Sequence, residues 1–150
     1  MSREIYCEIR GSSNKKIWNS ADDDDLFVCG RDDVTDHLSS LAGDDCDIDI
    51  TSAEEFNKIH SFLSDQRERE MKQVSVFTRR LEDASMARRN ARNAEEFYSF
   101  DPLIEEAQYE IEENRDSRAK LLLEMIDRGK GLLLKYQLSG GCSLFIVVSE

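Results

Sequence analysis

Apolar residues recur at alternating spacings of three and four between Ser52 and Arg128, and this pattern constrains the chain more than any other feature. Phe56, Ile59, His60 and Leu63 start the stripe, which continues through Val74, Phe77, Leu81, Ala84 and Ala91. It resumes at Ile104 and runs through Ala107, Ile111, Leu121 and Met125. Spacing of this kind lines one face of an α-helix. Ser52-Ala53-Glu54-Glu55 reads as a capping box, and Asp101-Pro102 as a cap followed by proline at the first helical position. Two long helices, about 66–92 and 102–128, are expected to fold back antiparallel around a turn near residues 93–101. Polar residues interrupt both stripes, at Arg67, Glu70 and Arg88 on the first and at Asn114 and Arg118 on the second. In a helical seam such residues set register and partner.

The flanking segments carry a period of two. Ile5, Cys7 and Ile9 alternate with polar neighbours, as do Cys46, Ile48 and Ile50, and both read as half-buried strands. Ile17-Trp18 and Leu26 to Cys29 supply further short strands, and Asp33 reads as the cap of a short helix that runs to Gly43 with Val34, Leu38 and Leu41 inward. Leu132 to Leu138, a Ser139-Gly140-Gly141 turn and Cys142 to Ser149 read as a β-hairpin, with Gly129 ending the helix before it. Its second strand is apolar on both faces and belongs in the middle of a sheet. The expectation is a single α+β domain: residues 1–51 β-rich with a short helix, 52–128 an inserted helical hairpin, and 132–149 a β-hairpin completing a small, mostly antiparallel sheet.

Composition bounds the function. The formal charge of -12 over 150 residues disfavours broad affinity for nucleic acid or anionic membrane, and no segment reaches the ~20 apolar residues a spanning helix needs. The opening MSREIYCEIR has no apolar run, so a cytoplasmic location is expected. Cys7, Cys29, Cys46 and Cys142 are scattered without a close pair and read as small buried hydrophobes.

Three groups of residues could carry chemistry. Seven aspartates fall within residues 21–37. Asp22, Asp23, Asp24 and Asp25 suit a turn between strands, and they head an acidic face that could meet a basic partner or imitate a nucleic-acid backbone. Asp45, Asp47 and Asp49 have the first offsets of a calcium loop, but Ile50 and Phe56 occupy the positions of its glycine and last ligand, so no metal is assigned. Against the acidic trend, Arg79, Arg80, Arg88, Arg89 and Arg92 precede Phe97, Tyr98 and Phe100, a composition suited to a protein contact or to gripping a phosphate while stacking a ring. At helical spacing Arg88 and Arg92 share a face, making a compact anion site near the hairpin tip feasible.

No glycine-rich phosphate loop, nucleophile elbow or paired metal-binding histidine motif is present, so no catalytic residue and no cofactor is assigned. The expected function is a non-catalytic, acidic protein-binding regulator, inhibitor or assembly subunit. It would oligomerise through its helices, most simply as a dimer. Sequestration of a phosphorylated or nucleotide-like molecule at the Arg/aromatic segment is the alternative, followed by a nucleic-acid mimic blocking a basic groove and by a metal-dependent enzyme using the Asp-rich loops.

Overall fold

The computed structural model describes residues 3–137 and 140–150. It is an α+β protein. The order is β1 (Glu4–Arg10), β2 (Lys16–Asn19), α1 (Ser20–Asp24), β3 (Val28–Cys29), α2 (Asp33–Ala42), β4 (Asp47–Asp49), α3 (Ala53–Arg89), α4 (Ala94–Ser99), α5 (Asp101–Arg115), α6 (Arg118–Gln137) and β5 (Ser143–Ser149). No helix among the described residues is long and apolar enough to cross a membrane.

The chain forms two compact units, one of residues 1–66 and 118–150 and the other of 67–117. The first contains the sheet, whose strands run in the order β2-β1-β5-β4, with β3 also pairing β1. All pairings are antiparallel, and β1 and β5 share seven residue pairs from Glu4↔Ser149 to Arg10↔Ser143. As its double-faced apolar pattern requires, β5 lies between two strands. Between β2 and β3 the chain leaves the edge of β1 to make α1, and the Cys7 amide it uncovers there donates to Ser20 Oγ at 2.9 Å. Ile5, Ile9, Leu144 and Ile146 then pack with Leu38 of α2, Leu63 of α3 and Leu122, Met125, Ile126 and Leu133 of α6, all fully buried. Burial of such side chains contributes about 1.5–3 kcal/mol each and is what holds the unit together.

Several local expectations are corrected. Residues 132–137 are helical, continuing α6 to Gln137, so no strand precedes β5 as a hairpin partner; Leu138 and Ser139 of the expected strand and turn lie outside the described residues. Gly129 is no helix stop: a Cβ there would stand 2.8 Å from Leu144 Cδ1 and 3.3 Å from Trp18 Cζ3, so glycine lets α6 lie close against the sheet. The helix expected over 102–128 is broken at Asp116 and Ser117, and Phe100 rather than Asp101 precedes α5, since α4 runs almost directly into it.

Smaller corrections have equally local causes. Asp32, not Asp33, caps α2, exchanging bonds with Thr35 in a capping box. Leu41 is exposed and Ala42 faces the core in its place. Asp22 to Asp24 lie in α1 rather than in an open turn, with Asn19 capping the first turn and Asp25 left-handed at φ 53°. Cys7 and Cys142 are buried as expected, but Cys29 and Cys46 are exposed, one on the outermost strand β3 and the other in a left-handed turn before β4.

The two glycines of α6 give opposite expectations. Gly131 is exposed, with open space where a Cβ would go. Gly131→Ala should stabilise the protein by about 0.5–1 kcal/mol through helix propensity. Gly129→Ala should lose about 1 kcal/mol or more, because overpacking against Leu144 and Trp18 outweighs the same gain. Denaturant midpoints of the two variants check both signs.

Candidate functional site

The second unit consists of the distal part of α3, then α4 and α5. Arg88 Nη1 lies 3.3 Å from Asp101 Oδ1, and Ser117 Oγ donates to Glu70 Oε1 at 2.8 Å. These two contacts fix α3 and α5 as an antiparallel hairpin. Its seam is thin. Of its apolar side chains, Ala84, Ile104 and Ala107 are buried, whereas Val76, Met86, Leu103 and Tyr109 are exposed. A two-helix hairpin offers each helix a single neighbour, so most of the stripe, from Val74, Phe77 and Leu81 to Ile111, is only half-buried.

At the base of this hairpin the polar interruptions of the seam converge. Arg67 donates from Nη1 to the Asn114 carbonyl and from Nη2 to the Arg115 carbonyl at 3.1 Å, satisfying the last carbonyls of α5 where the helix breaks. Its Nη1 also reaches Ser117 Oγ at 3.3 Å and lies 3.8 Å from Glu70 Oε2, a carboxylate oxygen that is buried and accepts no hydrogen bond among the described residues. The sequence marked Arg67, Glu70 and Asn114 as exceptions, but not that Ser117 joins them. Arg118, marked with them, donates instead to the Cys29 carbonyl at 2.7 Å and pairs with Asp32 at 3.3 Å.

The arginines expected to make a functional surface do not converge. Arg79 and Arg92 lie 13 positions apart, about 20 Å along a helix. The helix also ends at Arg89, and Asn93 caps α4 by accepting from the Glu96 amide, so Arg92 leaves the face it would have shared with Arg88. Arg88 is engaged by Asp101 and stands over the Phe97 ring at 5.2 Å; Arg80 stands over Phe77 at 4.9 Å. Tyr98 is exposed and meets Phe97 edge to face.

Between α3 and α5 lies a cleft of about 390 Å³ with Phe77, Ala84, Ala87, Phe100 and Leu103 on its walls. Its charged members are Arg80, Asp83 and Glu106. Two carboxylates against one guanidinium suit a mixed-charge protein surface better than a phosphate.

In the first unit the aspartates of residues 22–25 are mostly committed locally. Asp24 accepts from Trp18 Nε1 at 2.7 Å and from Arg128 Nε and Nη2 at 2.7 and 2.9 Å; Asp23 accepts from the Asn19 amide at 2.8 Å, and Asp22 lies 3.7 Å from Lys16. Asp22, Asp23 and Asp25 are exposed. His37 packs against the Phe62 ring in a tilted arrangement, with centroids 4.1 Å apart, and lines a second cleft of about 360 Å³ with Leu41, Ile48 and Ile59.

One constellation escaped sequence reasoning. Ser64 Oγ lies 3.3 Å from His60 Nδ1, and His60 Nε2 lies 3.4 Å from Asp127 Oδ1. The i,i+4 spacing of His60 and Ser64 was the available signal. The trio can relay a proton, but Ser64 stands inside α3, where the neighbouring amides are committed to carbonyls four residues back and cannot stabilise an oxyanion.

Comparison with protein-family models, curated proteins and solved structures gives no match.

Arg128, and then Trp18, hold the Asp24 carboxyl below its usual range. A carboxylate depressed in the folded state contributes stability above its unfolded pKa of about 4 and loses it as pH falls through the lower folded value. Acid unfolding of Asp24→Asn should therefore show a smaller loss of stability below about pH 4 than the parent.

Proposed function

We propose that the protein is a non-catalytic binding protein that works by presenting its helical hairpin, residues 67–117, to another protein surface and that assembles through it. The observation that carries this reading is the hairpin's thin seam: Ala84, Ile104 and Ala107 are its buried apolar side chains, Leu103 stands exposed on the wall of an apolar cleft, and Val76, Met86 and Tyr109 are exposed elsewhere on the hairpin. An apolar cleft rimmed by charge is the composition of a docking surface. The acidic first unit, with Asp22, Asp23 and Asp25 exposed, is the second surface through which such a protein could regulate or inhibit a basic partner.

The dispersed arginines and the carboxylates of the cleft weigh against sequestration of a phosphorylated ligand. The commitment of Ser64's neighbouring amides weighs against acyl-transfer catalysis by the His60 trio.

Leu103 is 55% exposed, so Leu103→Glu should leave the chain folded. Light scattering over a concentration series should give a native mass above 17.3 kDa for the parent and a mass near that value for Leu103→Glu. A parent that stays at monomer mass at every concentration removes assembly through the hairpin.

A further inference from the structure

The two arms of the hairpin carry opposite charge. Residues 67–94 hold eight Lys and Arg against four acids, and residues 95–117 hold nine acids against one Arg. Arg79, Arg80, Arg89 and Arg92 on the first stretch, and Glu105, Glu106, Glu112 and Glu113 on the second, are exposed and form no ion pair among the described residues. A hairpin with an apolar cleft between one basic arm and one acidic arm is complementary to a copy of itself turned through half a rotation.

Resting on the reading of the hairpin as a docking surface, we propose that its occupant is the same hairpin of a second copy of this chain. The two hairpins pack about a two-fold axis parallel to their helices, with α3 of each chain lying along α5 of the other. The geometry follows from the register. Arg88 meets Asp101 and Glu70 meets Ser117, so Arg80 stands at the height of the turn from Glu106 to Glu110. A rotation about an axis along the helices preserves height, and Arg80 of one copy therefore faces Glu106 of the other. Every helix becomes antiparallel to both neighbours, the arrangement of an up-and-down four-helix bundle. Leu103 and Val76, exposed in one chain, enter the space between the hairpins.

Charge reversal of the full chain tests the pairing by sedimentation equilibrium. Each Arg80–Glu106 contact occurs twice in a two-fold dimer, so Arg80→Glu and Glu106→Arg should each weaken dimerisation by about tenfold or more. The double reversal should return the dissociation constant to within about threefold of the parent, since it rebuilds both pairs with the signs exchanged. Both positions are exposed, and circular dichroism checks that each variant keeps its helix content. A parent dimer that neither single reversal weakens, or that the double reversal fails to restore, overturns this pairing while leaving assembly through the hairpin standing. A parent that is monomeric at all concentrations overturns both.

Discussion

Seven consecutive residue pairs between β1 and β5 join segments more than a hundred positions apart, and the rest of the architecture depends on that ladder. Once Glu4–Arg10 and Ser143–Ser149 are side by side, with β2, β3 and β4 added to them, α2 and the helices from α3 to α6 must leave the sheet and come back. Part of the excursion is retained: α2, the first turns of α3 and α6 supply Leu38, Leu63, Leu122, Met125 and Ile126 to the core. The remainder, residues 67–117, forms a unit of its own with little to bury. The same topology thus creates a well-filled core and a poorly filled hairpin.

The details of the sheet unit show how polar groups are satisfied around such a ladder. Arg10 reaches Asp47 Oδ2 at 2.9 Å and Glu8 Oε2 at 2.7 Å, and stands over the Phe145 ring at 4.3 Å, tying three strands through one side chain. Arg3, nearly inaccessible, bonds Asp36 at 2.6 Å and Glu150 at 2.8 Å, which spares a buried guanidinium an uncompensated charge. Asp24 joins α1 to α6 through Arg128. An acidic composition here serves local geometry first, which is why dense aspartate in residues 22–36 is a poor guide to a ligand site.

The sequence was informative wherever a short window contains both the signal and its cause. Alternation at Ile5, Cys7 and Ile9, the two-faced apolar run from Leu144 to Val148 and the stop at Gly43 each required only neighbouring residues, and each matches the structure. Gly129 was not legible in this way. A glycine that ends a helix and one that admits a neighbouring element have the same local surroundings, and the deciding atoms belong to Leu144 and Trp18. The break after Arg115 had the same character: Arg67, Glu70 and Asn114 stood out as polar intruders, yet only folding brings Ser117 to them. For the arginine segment, a helical wheel placed Arg88 and Arg92 together, but the end of α3 at Arg89 separates them. Periodicity reports a face only while the helix lasts.

The energetic contrast between the two units is the central claim. Helices joined only to each other gain little from their own propensity in water and owe their stability to a packed face, and in this hairpin only Ala84, Ile104 and Ala107 of that face are buried, the rest being half-covered. Native-state hydrogen exchange across a range of protein concentrations tests this directly, because partner binding protects what it orders. Amides in the distal part of α3 and in α5 should gain protection as concentration rises, while those of β1, β5 and α6 stay unchanged. Protection of residues 67–117 that equals the sheet's and does not vary with concentration would contradict the account.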